Sequence, residues 1–369
     1  MIDEIKLTKN LIKINSTNPG IYEKEAFDFV ETLLKKKKIN YKKYLLHKSR
    51  PNLVIKIGNK NIKDNILFVG HLDTVPFGQL KWKYNPLGAK ELNGKIYGRG
   101  STDMKSGIAS MCAAILNHKN FNFKNKNIIL ALVSGEETGC EGSKLLAEKL
   151  KKEKISVIIS GEPTDNYPVL GHKGVLWLEA SVSGKTSHGS SPQYGINSIY
   201  NAIDHIKILK NYNFKFKNYY MKKSTINIGT FFSGQNINSV PDKAKFSIDI
   251  RTVDSNHLYL KEIKKIFKYK NVKLKEIVNL DMVYNEKWKK LKHLNLLKNI
   301  CKFNKKIFTP KFASYFTDIS PFQKDHNKPF NIIVGPGSIQ MAHQTDEYVK
   351  KSEIIKSRKI YEYLINEFC

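Results

Sequence analysis

Arginine is nearly missing from this chain. Only Arg50, Arg99, Arg251 and Arg358 occur among 63 basic residues in 369, and the other 59 are lysine. Base and phosphate readers favour arginine's planar fork, so the net charge of +30 argues less for a nucleic-acid partner than its size suggests. It reads as a solvated lysine coat left by compositional drift. Cysteine is also scarce. Cys112, Cys140, Cys301 and Cys369 lie far apart and form no CxxC pair. That excludes a disulfide framework and points to a reducing compartment. Long apolar runs are absent too. The longest, such as Ile128 to Val133, fall far short of the roughly 20 residues of a spanning helix, so no membrane role is expected. The first residues, MIDEIKLTKNLIKINS, carry charge throughout and hold no h-region. The expected location is cytoplasmic.

What remains suits a folded protein. Apolar residues make up 41% and charged residues 26%. At roughly 150 residues per domain, the length predicts about two domains. Apolar spacing predicts helices over 2–14 and 22–38, with Asn18-Pro19-Gly20 between them. Strands are expected at 52–57 and 66–70, a helix of small residues at 105–118, and a buried strand at 126–134. A helix at 141–153 and a strand at 155–160 follow. Alternating strands and helices indicate an α/β layer sandwich, whose sites form beyond the carboxyl ends of the strands.

The texture changes after His172. Residues 175–183 alternate as a half-exposed strand does, then come a helix at 195–210, strands at 225–232 and 243–251, and a helix at 256–268. The order strand–helix–strand–strand–helix–strand predicts an inserted α+β (ferredoxin-like) domain over 172–284. Residues 1–171 and 285–369 form the larger domain, with a strand at 331–334 and a final helix at 351–367.

The chemistry-bearing residues cluster just past the strands of the larger domain. They are His71 and Asp73, Asp103, Glu136 and Glu137, Glu162, and His343 after Gly335-Pro336-Gly337. Two His and several carboxylates suit divalent metal with nitrogen and oxygen ligands. The set is too rich for a single zinc and fits two ions that share a carboxylate. Asp73, two residues after His71, is placed to accept the second imidazole N–H. Each residue also has a plainer reading. His71 could be a satisfied structural His, Asp103 a helix N-cap, Glu136-Glu137 a solvated loop pair, Glu162 a loop acid, and His343 a surface His.

The ordered motifs decide between these readings. GHLDTVPFG, NGKIYGRGSTDMKSG, SGEETGCEGS, SGEPT, GHKG, SGKTSHGSSPQYGINSI, NIGT, NSVPD, DIRT, YFTD and GPGSIQMAHQTDEY run from about residue 66 to 349. Together they resemble the M20 family of metallo-aminoacyl hydrolases. The last motif is most similar to the acetylornithine deacetylase branch, and succinyl-diaminopimelate desuccinylases are the nearest alternative. The resemblance implies a zinc-peptidase-like α/β/α sandwich with an inserted lid and dimerisation domain, and a homodimer. It implies two divalent ions, zinc or cobalt: His71 and Glu162 on one, Glu137 and His343 on the other, Asp103 bridging. Glu136 would be the general acid/base, Asp73 would orient His71, and His188 would supply an oxyanion donor. Arg251, Asn238, Lys173 and Gly337 would contact an N-acyl amino acid, with Ser314 and Thr317 beside them. Arg99 would hold the loop before Asp103. For His188 a polar loop role stays open, and for Arg251 a structural ion pair. The implied reaction is deacetylation of N-acetylornithine; desuccinylation and M20 dipeptidase or carboxypeptidase activity are the alternatives. A reading of another class is a lysine-rich binding protein on a hydrolase-like scaffold, which the intact ligand set disfavours.

Overall fold

The computed structural model describes residues 1–117, 123–267, 271–323, 326 and 328–369. The ends of the helices expected at 105–118 and 256–268 therefore lie outside the described residues. The chain forms two compact units: 1–171 with 284–311 and 317–369, and 172–283 with 312–316.

The first unit is built on a six-stranded sheet. Its spatial order is Lys42–His47, Arg50–Ile57, Asn127–Val133, Asp64–His71, Lys154–Ser160 and Phe330–Ile333. The first three strands pair antiparallel, and the last four run parallel. Asn127–Val133 and Asp64–His71 are buried along nearly their whole length, as strands covered on both faces must be. That is why their sequences are apolar without alternation. Helices Glu4–Ile12, Lys105–Leu116 and Lys351–Phe368 pack on one another, while Lys24–Lys36 and Glu141–Leu150 pack on the antiparallel strands. The fold is an α/β/α sandwich. Lys105–Leu116 is buried on every side except its last residue, which its small residues permit. A side chain at Gly107 would meet the Gly161 carbonyl at 2.2 Å, so only glycine lets this helix approach the neighbouring strand end.

The second unit is a four-stranded antiparallel sheet in the order Thr225–Ser233, Lys243–Thr252, Gly174–Ser183, Val272–Leu280. Helices Ser198–Asn211 and Asn256–Phe267 complete a βαββαβ order. Gly174–Ser183 and Lys243–Thr252 alternate buried and half-exposed residues, and their inward side chains form one core with the helices. The segment Phe312–Phe316 belongs to this unit, where Phe312 stacks on Tyr220 and Phe316 meets Trp177 edge-on.

Several elements depart from the sequence reading. Lys42–His47, Lys90–Leu92, Lys95–Tyr97, Tyr348–Lys350 and helix Leu291–Lys302 were not expected. Lys42–His47 is an edge strand with mostly exposed side chains, so it carries little apolar signal. The three short strands form a small sheet of their own.

Candidate metal centre

His71 ends the central strand Asp64–His71, and Glu162 lies two residues past Lys154–Ser160. Glu136 and Glu137 follow Asn127–Val133, and Asp103 precedes the helix Lys105–Leu116. His343 sits in a turn with φ of 63°, a left-handed conformation uncommon for a residue with a side chain. The parallel strands thus deliver most of the acids to one edge of the sheet.

Two groups of potential ligands converge there. His71, Asp103 and Glu162 form one; Asp103, Glu137 and His343 form the other, with the ligand atoms of each group within 4.8 Å of one another. His71 Nε2 lies 3.3 Å from Asp103 Oδ1 and 3.7 Å from Glu162 Oε1. His343 Nε2 lies 3.3 Å from both Asp103 Oδ2 and Glu137 Oε1. Asp103 therefore offers one oxygen to each group. Among the described residues, Asp103 Oδ1, Glu137 Oε1 and Glu162 Oε1 are buried without a hydrogen-bonding partner. Unpartnered buried carboxylate oxygens are costly, and a cation among them removes that cost.

The electrostatics agree. Burial would lower the His71 pKa, but Asp103, Asp73 and Glu162 hold it well above the ordinary value. Asp103 and Glu137 raise His343 to about 10. Burial would raise Asp103, yet the neighbouring His343 and His71 rings hold it well below the usual carboxylate range. Burial and the Asp103 charge push Glu162 well up, and burial raises Glu137 against the pull of His343. Without a cation, protons neutralise the cluster; divalent ions would take their place. The residues fit two such ions with nitrogen and oxygen ligands.

The profile of Peptidase family M20/M25/M40 matches residues 67–367, a span that includes every one of these side chains. The chain belongs to that family. It is a metal-dependent amidohydrolase. Over 387 aligned residues it is 28% identical to acetylornithine deacetylase of Buchnera aphidicola subsp. Acyrthosiphon pisum (strain Tuc7), covering 99% of this chain and 98% of that one. It is 27% identical to a probable succinyl-diaminopimelate desuccinylase of Staphylococcus epidermidis (strain ATCC 12228 / FDA PCI 1200), covering 97% and 96%. Its fold matches the M20 family metallo-carboxypeptidase Sso-CP2 from Sulfolobus solfataricus with a TM-score of 0.82, at 19% identity over 100% and 99% of the two chains.

Within this M20 chain, Asp73 lies against His71, as the spacing suggests, and also bonds further groups. The strand ends at His71, and His71 Nδ1 bonds the Asp73 main-chain carbonyl at 2.9 Å, while the carboxylate is 3.5 Å away. The carboxylate also accepts the main-chain N–H groups of Glu136 (3.2 Å) and Glu137 (3.1 Å) and the Asn18 amide (3.1 Å). It fixes the loop that carries both glutamates as well as the neighbouring imidazole. Glu136 Oε1 accepts from Cys140 Sγ at 3.9 Å. Burial pushes its pKa well up; His71 opposes this, and the Glu162 and Glu137 charges add to it. Gly337, with φ of 82°, lies where any side chain would meet Thr102, and its N–H donates to Glu353 at 3.2 Å.

The remaining predicted residues, Thr317 and Arg99 apart, lie in the second unit. His188 is exposed, and its Nδ1 accepts from Ser190 N (3.2 Å) and lies 2.7 Å from Ser190 Oγ. Arg251 bonds Asp249 through Nε and Nη2 (3.3 and 3.1 Å). Lys173 Nζ donates to the Lys223 carbonyl at 2.6 Å, and Asn238 is exposed with its carbonyl taken by Gly189 N. Ser314 lies in the segment Phe312–Phe316, whereas Thr317 is buried in the first unit. Two residues of the first unit went unassigned. Asp318, in the YFTD motif, is buried, accepts from Ser143 Oγ at 2.5 Å, and is pushed up to about 6 by burial. Asn18 links Asp73 to Thr138 (3.1 Å). The motif flagged Asp318; nothing local flagged Asn18, whose partners lie 55 and 120 residues away.

Proposed function

We propose that this chain is a two-metal deacylase that removes a small acyl group from an N-acyl amino acid, with N-acetylornithine as substrate and acetate and ornithine as products. The observation that carries this reading is the sharing of Asp103 between two ligand groups beside the buried carboxyl of Glu136. His71, Asp103 and Glu162 would hold one ion, and Asp103, Glu137 and His343 the other. Zinc or cobalt suits the donor set. When bound, such ions supply Lewis acidity, polarising the scissile carbonyl and acidifying water.

The chain's own groups do the rest. Glu136 takes a proton from the attacking water and passes it to the departing nitrogen, so amide and water become acid and amine. Asp73 keeps Glu136 and Glu137 in register through their main-chain N–H groups. His188 serves as the donor to the developing oxyanion; its Nδ1 accepts from Ser190, which favours the tautomer with the proton on Nε2. Arg251 and Lys173 provide positive charge for the substrate carboxylate, with Asn238 and Gly337 beside the amino-acid part. The unit of 172–283 acts as lid and dimerisation module of a cytoplasmic homodimer.

Desuccinylation of N-succinyl-diaminopimelate is the second reading, favoured by the nearly equal identity to the two kinds of curated relative. A side-by-side hydrolysis assay of zinc-loaded protein on the two substrates, with metal-stripped protein as control, separates them. Faster turnover of N-acetylornithine, lost on stripping, is expected. Preference for the succinyl substrate transfers the chain to the second reading. Cleavage of dipeptides alone overturns both.

A further inference from the structure

A buried ion pair holds the Asp103 loop and has no part in the reaction described above. Glu347 is fully buried, and its carboxylate accepts four N–H groups. Oε1 takes the main-chain N–H of Thr102 (2.7 Å) and of Asp103 (3.1 Å). Oε2 takes that of Gly100 (3.0 Å) and Arg99 Nη1 (2.8 Å). Arg99, itself buried, reaches onward to other loops. Nη1 donates to the Gln344 carbonyl (3.2 Å), and Nη2 to those of His343 and Pro76 (both 3.3 Å). The Trp82 ring lies 5.1 Å from its guanidinium carbon.

One pair thus grips the main chain at two ligands, but not equally. Glu347 bonds the N–H of Asp103, whose carboxylate serves both ligand groups. Arg99 bonds the carbonyl of His343, which serves only one. A carboxylate placed here adds negative charge beside an acidic site, and Arg99 neutralises it. What the pair contributes is direction: the peptide dipoles of both loops are fixed, and a ligand's position follows from its backbone.

We propose that Glu347 and Arg99 are positioning residues that set metal affinity, Glu347 at both ion sites and Arg99 only at the site containing His343. This rests on the two-ion reading above. Glu347→Gln presents an amide N–H₂ where main-chain N–H groups need an acceptor, so the Asp103 loop shifts. Arg99→Lys keeps the charge and loses the fork, so the Glu347 contact survives better than those to His343 and Gln344.

The test titrates metal-stripped protein with Zn²⁺ by calorimetry and with Co²⁺ by visible absorption, reading each binding step apart from activity. Asn127→Ala, at the opposite end of its strand from Glu136, serves as a destabilised control. Glu347→Gln is expected to weaken both steps by about 10–100-fold. Arg99→Lys is expected to weaken one step by a similar factor, and Asn127→Ala neither. Unchanged affinities in both site variants overturn the inference, as does a loss that tracks melting temperature across all three. Should Glu347→Gln fail to fold, Arg99→Lys decides alone by its one-step signature. A wild-type protein that binds fewer than two ions refutes the two-ion reading itself, an outcome visible before any variant is compared.

Discussion

At the scale of single residues, Glu136 and Glu137 show how neighbours in sequence divide their work. Asp73 holds both by their main-chain N–H groups, yet only Glu137 reaches a His ring. The Glu136 carboxyl remains buried, protonatable and outside both ligand groups. Glu136→Gln is nearly isosteric and removes only the exchangeable proton site. It should leave metal content unchanged while turnover falls by about 10²–10⁴-fold. Elemental analysis alongside a turnover assay checks this, and near-normal turnover removes Glu136 from its role. The types and spacing of these residues were readable from the motifs. The bonding of Asp73 was not. A two-residue spacing suggests a contact with His71, which the carboxylate makes at 3.5 Å, but its bonds from the main-chain N–H groups of Glu136 and Glu137, more than 60 residues away, leave no local signal. Glu347 is a sharper case. It sits in a motif noted for His343, yet its partners are 244 to 248 residues distant. Nothing in its neighbourhood marks it as anything but a surface acid.

At the scale of elements, the two units read differently because their strands are covered differently. Buried parallel strands give unbroken apolar runs, and half-covered antiparallel strands give alternation. Both patterns placed the elements that carry the site. Edge and short strands, such as Lys42–His47 and Tyr348–Lys350, bury too little to leave a pattern. Phe312–Phe316 is another such case, since its membership of the second unit depends on Tyr220 and Trp177. The start of that unit also carries a pH dependence. His172 is fully buried, bridging Val283 and Ala313, and its Nδ1 bonds the Lys173 carbonyl at 2.8 Å. Burial lowers its pKa from 6.5 to about 4; the Lys173 carbonyl opposes this and Arg251 adds to it. The folded unit holds it neutral, and the unfolded chain takes up a proton below 6.5. Its stability is therefore whole above 6.5 and falls as pH drops towards 4, by at most about 3 kcal/mol. Protection of the amides along Gly174–Ser183, each observed exchange rate being referred to the intrinsic rate at the same pH, should fall over that range and lose most of this slope in His172→Asn. An unchanged slope in the variant assigns the effect elsewhere.

At the scale of the whole molecule, the lysine excess and the metal centre are separate features. Among the described residues, Lys105 is the one lysine that is fully buried, and its amine bonds the Leu11 and Ile14 carbonyls at 3.0 and 2.9 Å. The other described lysines lie at or near solvent. Among the described residues no helix is long and apolar enough to cross a membrane. What the fold concentrates instead is acid, at one edge of one sheet, around Asp103. On the two-metal reading proposed above, this single carboxylate is shared by two ions. Diffraction from zinc-loaded crystals at the zinc absorption edge tests it most directly. Two anomalous peaks are predicted, one among His71, Asp103 and Glu162 and one among Asp103, Glu137 and His343. A single peak, or peaks away from Asp103, would contradict the account.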